Sequence, residues 1–335
     1  MMQRLEQLRH WLQQAAGLGE VSLVPASADA SFRRYFRVQH AGGTLIAVDA
    51  PPEHEDSRPF VAVARALHTI GLNVPEIHAV DFDRGFLLVS DLGSTLYLDV
   101  LDESRVERLY GDALGALLVM QAHGPLTDAG LPPYDNDRLL AELELFPEWF
   151  LGRHLGRSPT DAEREVIDAA FELLLTSALE QPQVTVHRDY HSRNLMRVDD
   201  HNPGILDFQD AVVGPVTYDL VSLLRDCYIR WPRDRVESWA LGYHELALQS
   251  GVLRERDEAR FLRWFDLMGL QRHLKVLGIF TRLWHRDGKP GYLDDLPLAL
   301  DYAIEVSASY PELARLHDLL AALPPLASAP EVAVT

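Results

Sequence analysis

Two stretches that lie close together in the chain decide its fold. Val184–Met196 reads VTVHRDYHSRNLM, and Gly204–Asp210 reads GILDFQD. A short apolar run leads into Asp189, Asn194 stands five residues further on, and a second apolar run ends at Asp207. Catalytic groups are often carried on loops that a rigid scaffold positions. We therefore look for the catalytic residues in these two stretches, which together we call the island.

The polar residues of the island are those that phosphoryl transfer needs. An attacking hydroxyl must be oriented and lose its proton, and Asp189 suits that role. The phosphates of the donor must be held by a divalent metal, and Mg²⁺ prefers hard oxygen ligands, which Asn194 and Asp207 can supply. The plainer alternative is that these residues only cap turns, as Asp and Asn often do. The pattern favours catalysis with ATP and Mg²⁺ as cofactors.

The first part of the chain, residues 1–93, has the pattern of a β-rich lobe. A helix opens it, because Leu5, Leu8 and Leu12 recur at helical spacing. Another helix is predicted from about Ser57 to Leu67. Five short runs rich in β-branched or aromatic residues predict strands at Val21–Pro25, Phe32–Gln39, Thr44–Val48, Glu76–Asp81 and Phe86–Val89.

Residues 94–322 show mainly helical periodicity. Capping-box patterns, Ser104 with Glu107 and Thr160 with Glu163, each precede a helix. Residues 323–335 are rich in Pro and Ala and are expected to form a loose tail. The predicted fold class is α+β, with a small antiparallel β-sheet lobe and a larger helical lobe. Further helices are predicted at Asn136–His154, Tyr218–Arg230, Arg235–Ser250 and Arg256–Phe280.

The order of these parts resembles that of the protein-kinase-like fold, and the motifs resemble its aminoglycoside phosphotransferase branch. H-R-D-x-x-x-x-N, followed after a strand by Asp-Phe, is the pattern of a kinase catalytic loop and metal loop. His191, two residues after the expected catalytic Asp, is a feature of that branch. The resemblance implies a two-lobed kinase in which an Asp at the position of Asp219 steadies the catalytic loop. N-cap or first-turn stabilisation of the helix is the simpler interpretation of Asp219, and the two are compatible.

The resemblance also implies a nucleotide site in residues 1–93. The backbone of Ser90 to Leu92 would bind the adenine, and the loop between the first two strands would cover the phosphates. Protein kinases place a lysine on the third strand, but this chain has no lysine before Lys275. We expect Ser31 and backbone N–H groups to cradle the phosphates, and Arg33 or Arg34 to supply the missing cation.

Four longer stretches are similar to the anomeric sugar kinases of bacterial cell-wall recycling. This narrower resemblance implies phosphorylation of the C1 hydroxyl of N-acetylmuramate and N-acetylglucosamine. Kinases of choline, amino alcohols or aminoglycosides remain alternatives, as does a nucleotide-binding pseudokinase, which the missing lysine motivates. The stretches are Asp29–Val38, Asp49–Glu53, Ile205–Ser222 and Gln271–Gly278.

A group of basic residues near the end of the chain could bind an acidic acceptor. A local cation would suit the lactyl carboxylate of N-acetylmuramate. A helix face paired with surface acids is the alternative interpretation. The group comprises Arg272, His273, Lys275, Arg282, His285, Arg286 and Lys289.

Composition restricts the possible partners and location. The 335 residues include 31 basic and 50 acidic side chains, a net charge of −19, which disfavours nucleic acid as a partner. The single cysteine, Cys227, rules out an intrachain disulfide. No stretch of the sequence reaches the roughly 20 apolar residues that a membrane span needs. We expect a cytoplasmic protein that binds ATP and a small sugar. The sequence does not indicate its oligomeric state.

Overall fold

The computed structural model describes residues 2–28, 32–126 and 129–326. The chain divides into two compact units. The first comprises Met1–Leu131 and Arg193–Ala211, and the second comprises Pro132–Ser192 and Val212–Thr335. The division therefore falls later than the expected boundary at residue 93, and the predicted metal loop belongs to the first unit.

The strands form one five-stranded antiparallel sheet and two short two-stranded antiparallel sheets. The five-stranded sheet has the order β1-β2-β3-β5-β4, while β6 pairs with β9 and β7 pairs with β8. All five strands predicted in the first part of the chain are confirmed. The strands are β1 (Ser22–Ala28), β2 (Arg34–His40), β3 (Gly43–Asp49), β4 (Ile77–Asp81), β5 (Phe86–Ser90), β6 (Gln183–Val186), β7 (Leu195–Met196), β8 (Gly204–Ile205) and β9 (Val212–Pro215).

Helices make up most of the remaining described chain. Two 3₁₀ segments, Pro290–Asp295 and Pro311–Leu313, and a π-helix, Phe146–His154, accompany them. The α-helices are α1 (Met2–Gln14), α2 (Arg58–Thr69), α3 (Tyr97–Val100), α4 (Val106–Ala122), α5 (Asn136–Leu143), α6 (Asp161–Leu179), α7 (Tyr218–Leu224), α8 (Arg233–Gln249), α9 (Glu258–Asp287), α10 (Leu296–Ala308) and α11 (Ala314–Ala321).

The apolar face of α1 covers the five-stranded sheet of the first unit. Leu8, Trp11 and Leu12 are buried against Val38 of β2 and Phe86 of β5. This is the stripe that the leucine spacing predicts. Burying these side chains removes apolar surface from water, which is the main favourable term in folding.

The turn that precedes β5 depends on a glycine. Gly85 has φ of +69°, and a Cβ atom there would lie 1.8 Å from the Ala50 carbonyl oxygen. The Ala50 N–H group donates to the Gly85 carbonyl at 2.8 Å, so the backbone just after β3 approaches this turn closely. Only a residue without a side chain fits this approach.

The long helix α9 is the centre of the second unit. It packs against α6, α7, α10 and the π-helix. A Cβ atom on Gly278 would lie 2.4 Å from the Leu145 carbonyl carbon, so α9 passes this backbone without room for a side chain. The helix ends at Gly288, which adopts the left-handed conformation with φ of 67°. The predicted end at Phe280 was therefore wrong by about two turns.

The two capping predictions had different outcomes. Thr160 and Glu163 form the predicted capping box at the start of α6. Ser104 does not cap α4: its hydroxyl donates to Asp102, whose carboxylate also accepts from the Arg105 N–H group at 3.0 Å. The carboxylate of Asp102 is the stronger acceptor in this turn. Two helices that were not predicted, α10 and α11, follow α9, and α7 ends earlier than predicted.

Candidate active site

The catalytic loop follows β6 and is fixed by Asp219. The Asp219 carboxylate accepts hydrogen bonds from the His187 N–H group at 2.6 Å and the Arg188 N–H group at 3.0 Å. Arg188 has a positive φ of 78°, an unfavourable conformation for a side-chain-bearing residue. On the other side, the Arg272 guanidinium donates to the Arg188 carbonyl at 2.8 Å. The loop is therefore held in a strained turn from both sides.

Asp219 opens α7, as predicted, but it is fully buried and its bonds go to the catalytic loop. Burial raises the pKa of Asp219 to about 7, although two backbone N–H groups and the charge of Arg272 favour its carboxylate form. Asp219 therefore lies in the first turn of α7 but is not its N-cap, which is Thr217, and its hydrogen bonds fit the loop-steadying role that the resemblance implies.

Asp189 follows Arg188, the residue with the strained backbone, and its carboxylate lies near several positively charged side chains. Burial opposes its charge, but Lys275, His191, Arg272 and Arg188 together lower the pKa of Asp189 below its ordinary value. Its N–H group donates to Nδ1 of the buried His187 at 3.3 Å. His187 thus braces the loop, and Asp189 is a carboxylate at neutral pH.

A network of buried polar side chains contacts the catalytic loop at Arg188. Lys275 donates to the Tyr218 hydroxyl at 2.8 Å and pairs with Glu142 at 3.0 Å. Glu142 also pairs with Arg188 and accepts from the Tyr134 hydroxyl. Burial opposes the charge of Glu142, but Lys275 and Arg188 lower its pKa. The sequence did not predict this network, because Glu142 and Tyr134 belong to no recognisable motif.

The predicted metal residues meet in the first unit. Asn194 Nδ2 lies 3.3 Å from one Asp207 carboxylate oxygen, and Gln209 Nε2 donates to the other at 2.7 Å. The Leu206 N–H group donates to the Asn194 carbonyl at 2.9 Å, which ties the two loops together. Asp207 has a positive φ of 63°, so its backbone turns sharply as it leaves β8.

The oxygen donors of this pair fit a magnesium ion. A carboxylate and an amide oxygen are hard ligands, and Mg²⁺ usually takes one or two carboxylates from the protein and completes its shell with phosphates and water. Over the described part of the chain, no group of three or more His, Cys, Asp or Glu side chains is arranged to hold a metal. The donor set therefore suits a metal that shares its coordination with a nucleotide.

The two candidate cations of the first unit have different surroundings. Arg34 bonds to the buried Asp49 opposite it on β3, and Arg4 bonds to the same carboxylate at 2.6 Å. Arg33 pairs with Glu55 at 3.1 Å. Burial opposes the charge of Arg33, but Tyr35, Glu55 and the charge of Asp207 raise its pKa. The charge of Arg33 therefore interacts through space with that of Asp207, one of the predicted metal residues.

The other residues predicted to bind the nucleotide differ in whether their backbone groups already form hydrogen bonds. Ser31 lies outside the described residues. The Ser90 N–H group already donates to the Glu76 carbonyl at 3.0 Å. Within the described chain, the backbone of Leu92 makes no hydrogen bond, which leaves its N–H and carbonyl groups available to a base. Leu92 fits the adenine-binding prediction better than Ser90 does.

The basic group near the end of the chain does not form one surface cluster. Arg272, His273 and Lys275 are buried, so the helix-face interpretation is wrong for these three. His273 Nε2 lies 3.0 Å from the Arg225 carbonyl, and burial lowers its pKa to about 3. Arg286 pairs with Asp287 at the exposed end of α9. Only part of the group is therefore available to an acceptor.

Comparison with known proteins agrees with this site. The sequence pattern described as "Phosphotransferase enzyme family" matches residues 22–265, and the chain belongs to this family. Among solved structures, choline kinase LicA from Streptococcus pneumoniae covers 91% of the chain with a TM-score of 0.61 at 13% identity. The GDP complex of aminoglycoside 2'-phosphotransferase-IIIa has a TM-score of 0.60 at 16% identity and also covers 91%. The predicted kinase-like class of fold is confirmed.

Closer relatives match along almost the whole chain. Proteins of Pseudomonas putida and Pseudomonas aeruginosa, both named N-acetylmuramate/N-acetylglucosamine kinase, are each 49% identical to it over 96% of its length. The matches cover 96% and 97% of those proteins. A protein of Neisseria meningitidis with the same name is 41% identical, again over 96% of the chain.

Proposed function

We propose that this protein is an ATP-dependent sugar kinase that phosphorylates the C1 hydroxyl of N-acetylmuramate and N-acetylglucosamine. The chain is similar over nearly its full length to proteins named for both sugars. The remoter structural relatives include a choline kinase and aminoglycoside phosphotransferases, and at such low identity they support the fold alone. The acceptor assignment therefore rests on the closer relatives.

The position of Asp189 is the observation that carries the proposed chemistry. Its carboxylate would accept the proton of the C1 hydroxyl while that oxygen attacks the γ-phosphorus of ATP. The bond from phosphorus to the β,γ-bridging oxygen breaks, and ADP leaves. The Asp219 and Arg272 hydrogen bonds to the loop hold Asp189 in place through this step. General-base positioning of this kind contributes roughly 10²–10⁴-fold to a rate.

Asn194 and Asp207 would hold Mg²⁺, which when bound neutralises charge on the donor phosphates. Their side chains are oriented by each other and by Gln209. Such pre-orientation reduces the cost of assembling the site.

Arg33 and Leu92 would complete the nucleotide site. The pairing of Arg33 with Glu55 parallels the lysine–glutamate pair of protein kinases, with an arginine in place of the strand lysine. The Leu92 backbone groups would bind the adenine edge. No helix in the described part of the chain combines the length and apolar character of a membrane span. We propose that the protein acts in the cytoplasm, where ATP is available, in the recycling of cell-wall sugars.

ATP consumption with Mg²⁺, measured against a panel of acceptors, tests the proposal. The panel contains N-acetylmuramate, N-acetylglucosamine, their C1 methyl glycosides, choline and an aminoglycoside. We expect turnover of the two free sugars and none of the glycosides, because methylation removes the attacking hydroxyl. Turnover of choline or the aminoglycoside alone would replace the acceptor. Binding of ATP without any turnover would favour a pseudokinase.

A further inference from the structure

One face of α9 carries basic residues from the catalytic loop toward the end of the helix. Residues seven apart lie two turns apart on nearly the same face, about 10 Å along the axis. Lys275 and Arg282 have this spacing. Lys275 is committed to Glu142 and Tyr218 beneath the catalytic loop. Arg282 is therefore the next cation along the same face.

Arg282 differs from the other arginines of α9. Arg260 and Arg263 pair with Glu255 and Glu312, Arg286 pairs with Asp287, and Arg272 donates to a backbone carbonyl. Arg282 makes no ion pair with any residue that the structure describes, and its Nε atom is buried without a hydrogen-bond partner. Burying part of a guanidinium without a hydrogen-bond partner costs free energy unless a ligand supplies an anion.

The surroundings of Arg282 do not neutralise it by contact. Burial and then the charge of Arg286 lower the pKa of Arg282. The carboxylates of Asp287, Glu148 and Glu142 act on it only through space. Glu142 is the same carboxylate that pairs with Lys275, so Arg282 lies within electrostatic reach of the network beneath Asp189.

An aromatic series leads from the catalytic loop to the same part of α9. The His191 ring lies 5.3 Å from the Tyr228 ring, and the Tyr228 ring lies 6.3 Å from Phe280, two residues before Arg282. Phe280 in turn lies 5.0 Å from Tyr292. Aromatic side chains with a polar edge commonly line sites that are part apolar and part wet, as a sugar requires. The series thus connects the catalytic loop to the turn of α9 that contains Arg282.

We propose that Arg282 binds the carboxylate of the lactyl group of N-acetylmuramate, and so distinguishes this acceptor from neutral N-acetylglucosamine. This inference rests on the proposed function. The lactyl ether is attached at C3, away from the C1 hydroxyl that reacts. An acceptor whose C1 hydroxyl faces Asp189 would extend its lactyl group along α9, where the guanidinium can bond both carboxylate oxygens.

Steady-state kinetics of Arg282→Gln with both sugars tests the inference. We expect KM for N-acetylmuramate to rise by about 10-fold to 100-fold, the loss of one or two charge-assisted hydrogen bonds. KM for N-acetylglucosamine should stay within about 2-fold, as for a neutral surface change. The matched control is Arg286→Gln, one turn further along α9 and already paired, which should leave both sugars within the same limit.

A second measurement changes the acceptor instead of the protein. For the wild-type protein, converting the lactyl carboxylate to its methyl ester should raise KM as much as Arg282→Gln does. The variant should then show no additional loss with the ester, because both changes remove the same contact. Equal losses with both sugars, or an ester that the wild type uses as well as the acid, would overturn the role of Arg282.

The kinetics also separate the two proposals. A wild-type protein that phosphorylates neither sugar would refute the proposed function, and the role of Arg282 would fall with it. A wild-type protein that phosphorylates both sugars, with a variant that does not discriminate between them, would refute the role of Arg282 alone.

Discussion

Two carboxylates that serve the same proposed reaction have opposite surroundings. Asp189 lies among Lys275, His191, Arg272 and Arg188, whose charges outweigh the effect of burial on its pKa. The hydrogen bonds described for the Asp207 carboxylate come from two neutral amides, Asn194 and Gln209. The charge of Asp189 is therefore balanced by several basic side chains, whereas the carboxylate of Asp207 is oriented by neutral amides and interacts through space with the charge of Arg33.

The difference in surroundings between Asp189 and Asp207 fits the two proposed roles, accepting a proton and binding Mg²⁺. A group that accepts a proton must be ionised when the acceptor binds, and neighbouring cations favour that form. A group that binds Mg²⁺ must keep its charge for the metal, and neutral donors orient it without competing. The surroundings of each carboxylate are consistent with the role that the sequence motif predicts for it.

Asp189→Asn should have the largest effect. The amide keeps the shape of the side chain but cannot accept the acceptor proton, so kcat should fall by roughly 10²–10⁴-fold. Nucleotide affinity, measured by calorimetry with a non-hydrolysable ATP analogue, should be unchanged. A loss of kcat smaller than 10-fold would contradict the assignment.

Asp207→Asn should also inactivate the protein, but through the metal. Losing a charged ligand should lower kcat/KM by about 10²-fold at fixed Mg²⁺, and part of the loss should return as Mg²⁺ is raised. Titration of activity with Mg²⁺ for both variants gives the comparison. Recovery of Asp189→Asn at high Mg²⁺ would show that the two roles are not separate.

Arg33→Gln and Arg34→Gln test the nucleotide side of the comparison. Arg33→Gln should raise KM for ATP by about 10-fold to 100-fold, because one charge-assisted contact to phosphate is lost. Arg34→Gln should mainly lower the melting temperature, since the buried Asp49 loses a cation. Unchanged KM for ATP in Arg33→Gln would refute the phosphate contact.

Lys275→Met should have the smallest effect near neutral pH and a growing effect in acid. Lys275 is the first of the cations that lower the pKa of Asp189, with His191, Arg272 and Arg188 remaining in the variant. Its removal should raise the pKa of Asp189, so the acid limb of the kcat/KM profile should move to higher pH. Lys275→Arg should restore the position of the limb. Melting curves would separate this shift from the stability lost by breaking a buried pair.

Much of the fold could be predicted because short-range patterns dictate it. The sheet of the first unit and the capping box of α6 follow from local periodicity and turn chemistry. The end of α9 was missed although Gly288 offered a signal, because the basic and aromatic residues after Phe280 do not look like a buried helix. Ser104 does not cap α4, because its hydroxyl donates to Asp102 and the N-cap position falls at Arg105.

The sequence by itself determined the chemical groups and their order: Asp189, Asn194 and Asp207 in motifs whose spacing is set by short loops. Only the tertiary structure decided which cation belongs to which carboxylate. Glu142 with Lys275, Arg34 with Asp49 and Arg33 with Glu55 are paired across long stretches of chain. Electrostatic energy depends on distance and burial, and neither can be read from sequence separation.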